Sequence, residues 1–200
     1  MKYNPNIHHR RSIRLRGYDY SRNGMYFVTI CTQDRLRLFG DIADGEMQLN
    51  DAGRMVRATW DEIPAHYSGI ETDHFTVMPN HIHGIIKIVG AGPRACPSIN
   101  TVEATSRGCP TQGQAHVEEG HPQGGAPTGL SLPDVVHRFK TMTTKKYTDG
   151  VKQNGWQPYP AKLWQRNYYE HIIRNEAAYL KIAEYIQTNP QRWEEDTYHV

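Results

Sequence analysis

Along this chain the apolar positions fall into short runs separated by turn residues, and the period of each run predicts an element. Residues 25–32 are rich in β-branched and aromatic side chains, as a strand requires. Residues 40–49 predict a hairpin turning at Asp44-Gly45, a pair that tolerates positive φ. Asn50 or Asp51 then caps a helix, with Ala52, Val56, Trp60 and Ile63 at helical spacing until Pro64 stops it. Residues 71–78 and 81–89 predict two strands joined by a tight turn at Pro79-Asn80. Ser131 caps a helix over 132–147, in which Val135, Phe139, Met142 and Lys146 follow one stripe. Residues 163–173 predict a final strand. Asn175 opens a last helix with Tyr179, Ile182, Ala183 and Ile186 on its apolar face, and Pro190 ends it.

Between 90 and 129 the periodicity disappears. Gly, Pro, Ser, Thr and Gln dominate, and Arg94-Ala95-Cys96-Pro97-Ser98 is copied imperfectly as Arg107-Gly108-Cys109-Pro110-Thr111. Such a segment need not bury anything. We expect a single domain over 1–200 with a low-complexity insertion at about 90–130. The element order is strand, hairpin, helix, strand, strand, helix, strand, helix. It predicts an α+β fold with a ferredoxin-like antiparallel sheet and helices on one face.

Composition narrows the class. A mean hydropathy of −0.72 and the absence of any run of about 18 apolar residues exclude a membrane span. The basic N-terminus has no apolar segment behind it, so no secretory signal is expected and the chain reads as cytoplasmic. Three scattered cysteines make neither a disulfide framework nor a zinc knuckle. The net charge of +2 conceals segregation. Residues 1–37 carry eight Lys/Arg against two Asp, and 131–174 eight against three acids. The stretch 38–90 carries three basic residues against eight acidic ones. Two basic blocks around an acidic one suit one positive face, the footprint of a nucleic-acid binder. A solvated surface of uneven charge would give the same count.

The chemistry-bearing segment is Val77-Met78-Pro79-Asn80-His81-Ile82-His83-Gly84-Ile85-Ile86. Strand side chains alternate, so His81 and His83 point the same way and Ile82 the other. Two imidazoles at that spacing can share one divalent ion. Burying two of them within an apolar run needs a reason. On the last helix Tyr185 has Asn189 four residues on, and both project from one face. The Asn189 amide oxygen is a candidate third ligand, which would set the Tyr185 hydroxyl beside the metal. A phenol presented in line at a polarised phosphoryl group can act as a nucleophile. Neither a Walker A pattern nor a Gly-rich phosphate fingerprint is present.

These residues carry a resemblance. The segment 78–84, followed by 164–174 and by Tyr185-Ile186-Gln187-Thr188-Asn189-Pro190, resembles the single-tyrosine HUH transposases, closest to their REP-associated tyrosine transposase branch. Residues 14–34 resemble that group's opening strand, and the likeness spans the chain outside roughly 90–130. It implies the HUH fold, with His81 and His83 as metal ligands and Tyr185 as the nucleophile. Asn189 stands where many relatives have Gln in a Tyr-x-x-x-Gln pattern, so the third ligand is a shorter amide here. The implied cofactor is Mg²⁺ or Mn²⁺, and the implied substrate single-stranded DNA folded into a hairpin beside a short recognition tetranucleotide. Cleavage leaves a 5′-phosphotyrosine and a free 3′-hydroxyl.

DNA contacts are expected from charge. Arg10, Arg11, Arg14 and Arg16 form a basic arm, and Arg138, Lys140, Lys145 and Lys146 are placed to cradle a hairpin stem. Tyr18, Tyr20 or Trp164 are candidates to stack unpaired bases. The expected location is the nucleoid, as monomer or homodimer. Two other classes stay open. One is a hairpin-binding protein with weak or no cleavage. The other is a small phosphoesterase using histidines, although a histidine-triad enzyme wants a third His where Ile85 stands.

Overall fold

The computed structural model describes residues 15, 17–89 and 130–199; the basic arm at Arg10, Arg11, Arg14 and Arg16 and the insertion lie outside the described residues. β1 (Gly24–Cys31) is central in a four-stranded antiparallel sheet, flanked by β5 (His81–Ile88) and β6 (Tyr169–Ile173). β4 (Ile70–Val77) pairs with β5 on its outer side, through a bulge between Thr72 and Phe75. A separate hairpin, β2 (Gly40–Ala43) and β3 (Glu46–Leu49), turns at Asp44 and Gly45, both at positive φ as that tight turn requires.

Three longer helices cover the sheet. α1 (Asp51–Asp61) starts where the Asn50 side chain accepts from Gly53 N–H at 2.9 Å. α2 (Ile63–His66) is one short turn, with Pro64 in its opening positions, where a missing N–H costs nothing. α3 (Leu132–Asn154) starts at Ser131, whose N–H donates to the Asp134 carboxylate, and ends at Gly155 with φ 66°. It runs a turn and more beyond the expected 147. Within this helix Gly150 lets the Trp156 ring pack directly on the backbone, since a Cβ there would lie 2.2 Å from Trp156 Cε3. α4 (Glu176–Thr188) is capped by Asn175, and Pro190 falls inside a following 3-10 segment, Asn189–Glu195.

The expected α+β antiparallel architecture is present, with one layer more than the pattern suggested. α1 and α3 cover the face carrying Tyr26, Val28, Ile30, Ile82 and Ile86. α4 covers the opposite face, where Phe27, Ile85 and Ile173 pack against Ile186. The reason lies in the central strands: β1 and β5 are apolar at alternate and intervening positions alike, so both faces demand cover. Gly84 belongs to this packing too. A Cβ there would lie 2.5 Å from Trp60 Cζ2, and Trp60 stacks on Phe75 at 4.4 Å.

The last strand is shorter than the run 163–173. Lys140 Nζ donates to the carbonyls of Gln165, Arg166 and Asn167, which takes those groups out of any ladder. Only Trp164 pairs ahead of β6, in an isolated bridge to Thr32. Among the described residues no helix is long and apolar enough to cross a membrane.

Candidate metal centre

His81 and His83 sit at the start of β5 on the face that α4 covers, and both are fully buried. Their Nε2 atoms are 3.0 Å apart. Each Nδ1 has its own partner. Asn80 Oδ1 lies 2.7 Å from His81 Nδ1, and the same amide donates through Nδ2 to the Tyr198 carbonyl at 2.8 Å. That second bond orients the amide, so His81 Nδ1 must carry the proton. Across the sheet, Thr29 is in register with His83, with Oγ1 2.8 Å from Nδ1. With its proton on Nδ1, His81 presents a bare Nε2 lone pair toward His83 Nε2.

Burial pushes His81 down to about 3, and the positive charge of Arg35 adds to this. Burial, with His81 as a lesser cause, holds His83 well below its ordinary value. Two neutral imidazoles side by side can share a divalent cation, and oxygen donors stand next to them. Asp196, just past the 3-10 segment, places Oδ2 3.6 Å from His81 Nε2 with its side chain 1 % exposed. That oxygen has no hydrogen-bond partner, and neither has the buried Asn189 Oδ1. A neutral His81 cannot satisfy the carboxylate as an ion pair. Ligating atoms of His81, His83 and Asp196 lie within 4.8 Å of one another, and this group can hold a metal ion. Two imidazole nitrogens with carboxylate and amide oxygens make a donor set suited to a divalent cation.

Tyr185 stands at the rim. Its hydroxyl lies 3.3 Å from His83 Nε2, and the residue is 37 % exposed. Its ring meets Phe27 edge-on, and Phe27 stacks on His83. Burial of the hydroxyl, then the charge of Asp196 and the presence of Tyr198, raise the phenol to about 12, while a hydrogen bond from Asn189 opposes them. Asn189 keeps helical φ and ψ before Pro190, so it stays on the Tyr185 face of α4.

The fold thus brings together four residues expected from sequence, namely His81, His83, Tyr185 and Asn189. It adds Asp196, Asn80, Thr29, Tyr198 and Arg35. Asn80 had a signal, since it precedes His81 in the motif, and Thr29 had one in its strand alternation. Asp196 and Tyr198 had none, because Pro190 and the 3-10 segment carry them back over the histidines. Arg35 is fastened there by donating from Nη1 to the Thr197 carbonyl. Both Asp34 and Arg35 have positive φ, an uncommon pair of non-glycine residues.

The basic residues of α3 lie on the other face of the sheet. Lys140 is committed to three backbone carbonyls, and burial brings its ammonium down to about 8. Lys146 is bound to Glu62 at 2.6 Å and to Thr59 at 3.1 Å. Both already have protein partners, which charge counting could not anticipate: Lys140 largely buried, Lys146 in a half-exposed ion pair. Arg138 is exposed beside the Tyr67 ring, and Lys145 is exposed. Tyr20 and Trp164 are core residues and cannot stack bases, whereas Tyr18 is half-buried.

Fold and site together define a three-layered α+β protein, a sheet covered by helices on both faces, whose central strand pair presents a buried histidine pair to a partly exposed tyrosine. No family model matches the chain. It belongs to one family with an uncharacterized protein of Haemophilus influenzae, 41% identical over the whole of this chain and 98% of that one. A second Haemophilus influenzae protein, described as a "Putative REP-associated tyrosine transposase", is 22% identical over 86% of this chain and 73% of its own length. Among solved structures, a REP-associated tyrosine transposase bound to a REP hairpin aligns at 17% identity. The alignment has a TM-score of 0.47 and covers 88% of this chain and 72% of that one.

Proposed function

We propose that this chain is a metal-dependent endonuclease and strand transferase for single-stranded DNA, of the REP-associated tyrosine transposase type, acting at hairpin substrates through a 5′-phosphotyrosine intermediate. The observation that carries the reading is the Tyr185 hydroxyl 3.3 Å from His83 Nε2, in a site where two imidazoles and two buried oxygens converge. The sequence likeness to the second Haemophilus influenzae protein points the same way.

His81, His83 and Asp196, with Asn189 beside them, would hold Mg²⁺ or Mn²⁺, which when bound polarises a phosphoryl oxygen and stabilises its developing charge. Tyr185 does the covalent work. Its oxygen forms a bond to phosphorus as the bond from phosphorus to the 3′-oxygen breaks. The phenol proton passes to solvent and the departing 3′-oxygen takes one up, so protons balance. With its phenol held near 12, Tyr185 rests neutral and gives up its proton only as the new bond forms. The tyrosine ester conserves the phosphodiester linkage, so a 3′-hydroxyl can reverse the step without ATP.

Arg138 and Lys145, with the arm at Arg10, Arg11, Arg14 and Arg16, supply phosphate contacts in this reading. Residues 90–130 are an insertion between β5 and α3 of a single domain.

The test is a labelled palindromic single-stranded oligonucleotide incubated with protein and Mn²⁺ and run on a denaturing gel. We expect a covalent DNA–protein adduct that disappears in Tyr185→Phe and in His81→Ala. Tight hairpin binding without an adduct, across several palindromes and both metals, would leave a hairpin-binding protein. An adduct surviving Tyr185→Phe would assign the wrong tyrosine.

A further inference from the structure

β1 ends at Cys31, in register with His81, so the chain that follows leaves the sheet beside the first histidine. Thr32 is tied there twice, its N–H donating to the Asn80 carbonyl at 2.9 Å and its hydroxyl to the same oxygen at 3.0 Å. Asp34 and Arg35 then both take left-handed backbone, φ 57° and 53°, with no glycine in either place. Such conformations persist only where their surroundings dictate them, and they cluster at functional sites. Here they set the position of one guanidinium.

The Arg35 guanidinium lies 5.7 Å from the centre of the Tyr198 ring, and that ring is 4.9 Å from His81 and 6.1 Å from His83. Arg35 reaches the centre from the His81 side, and its charge is among the causes that keep His81 neutral. Tyr185 comes from the His83 side. Of the five donors that a guanidinium offers, Nη1 goes to the Thr197 carbonyl at 3.1 Å. Nearby Arg37 pairs with Asp41, whereas among the described residues Arg35 has no carboxylate partner. Fastening a carbonyl needs a donor but no charge. A positive charge beside a pocket for a divalent cation repels its occupant, unless an anion comes between the two.

We propose that Arg35 is a catalytic residue of the strand transfer, donating to a non-bridging oxygen of the scissile phosphate from the His81 side while Tyr185 attacks from the His83 side. The phenol oxygen and the departing 3′-oxygen take the two in-line positions. The charge of the transition state therefore rests on the non-bridging oxygens, where fixed donors have most effect. A planar fork of guanidinium donors suits two closely spaced phosphate oxygens better than a mobile ammonium does. Bonds and protons change as described above, and this inference rests on that reading.

The experiment compares full-length wild type with Arg35→Gln, which keeps an amide donor for Thr197 and removes the charge. Adduct formation with Mn²⁺ is followed in single turnover on the labelled hairpin oligonucleotide, whose scissile phosphate is first located from the wild-type products. We expect the rate to fall about 100-fold or more, the cost of losing a preorganised donor to developing charge. Hairpin affinity, measured with and without the substitution in uncleaving Tyr185→Phe protein, should agree within about threefold, since the contact matures in the transition state. Separated Rp and Sp phosphorothioates at that phosphate give a readout that a structural role does not move. In one of them sulfur replaces the oxygen that Arg35 meets, and the gap between wild type and Arg35→Gln should shrink about fivefold or more. In the other the gap stays. Mn²⁺ titrated into the DNA-free variant should bind at least as tightly as it does to wild type. Arg35→Lys, with the charge but no fork, should be intermediate in rate, and it carries the comparison if Arg35→Gln proves unfolded in a thermal melt. An unchanged rate, a gap equal across all three substrates, or weakened Mn²⁺ binding would make Arg35 a tether for Thr197 and leave the DNA reading standing. If wild type forms no adduct on any palindrome, that reading falls and the role of Arg35 with it.

Discussion

Asn80 holds His81 from one side while being held itself: its Oδ1 lies 2.7 Å from His81 Nδ1, and its Nδ2 donates to the carbonyl of Tyr198. A residue of the β4–β5 turn thereby sets the tautomer of one imidazole through a contact with the far end of the chain. Outer-sphere bonds of this kind orient a ligand and raise its basicity. Asn80→Ala is expected to weaken Mn²⁺ binding by about 10- to 100-fold. It leaves a buried N–H unpaired, at a stability cost of about 1–3 kcal/mol. Isothermal titration with Mn²⁺, paired with a denaturant melt, measures both. Unchanged metal affinity would mean that His81 keeps its orientation without the amide.

Asp196 should move stability and metal affinity in opposite directions. Its buried Oδ2 has no hydrogen-bond partner, so in the metal-free protein the carboxylate is a liability. Asp196→Asn should raise the metal-free melting temperature and lower Mn²⁺ affinity by tenfold or more. Asn189→Ala is the companion. Should Asp196→Asn bind Mn²⁺ normally while Asn189→Ala does not, the third ligand is the amide expected from sequence.

Acid should destabilise the metal-free protein through the histidine pair. His81 is held near 3 in the fold against 6.5 when exposed, and His83 is lowered likewise. The unfolded chain therefore binds more protons at any pH between those values. Stability is fully present above about 6.5 and is lost as pH falls toward 3, at up to about 1.4 kcal/mol per pH unit for each histidine. Melting temperatures from pH 7.5 to 4 should fall more steeply in wild type than in His81→Asn. Parallel slopes would show that the pair does not control acid sensitivity.

Lys140 is a structural cation. Its ammonium fastens the carbonyls of Gln165, Arg166 and Asn167 ahead of β6. Lys140→Met should cost about 1–3 kcal/mol of stability. The salt dependence of hairpin binding should stay the same, since no phosphate contact is removed. A shallower salt slope at unchanged stability would restore the DNA role that charge alone suggested.

Much of this protein is legible in its sequence because its local signals agree. Asn50, Ser131 and Asn175 each open a helix, Asp44-Gly45 turns a hairpin, and strand alternation aims His81 and His83 the same way. These depend on neighbours along the chain, where backbone geometry alone sets which side chains share a face. The four-residue offset between Tyr185 and Asn189 is readable for the same reason. Long-range packing decided the rest. α4 covers the histidine face because central strands apolar on both sides need two layers of cover. Lys140 turns inward onto carbonyls, and Lys146 pairs with Glu62, because partners remote in sequence lie beside them in the fold. Asp196 reaches His81 across 115 residues because Pro190 redirects the chain after α4. A contact between segments so far apart leaves no period in the sequence, and only the folded chain shows it.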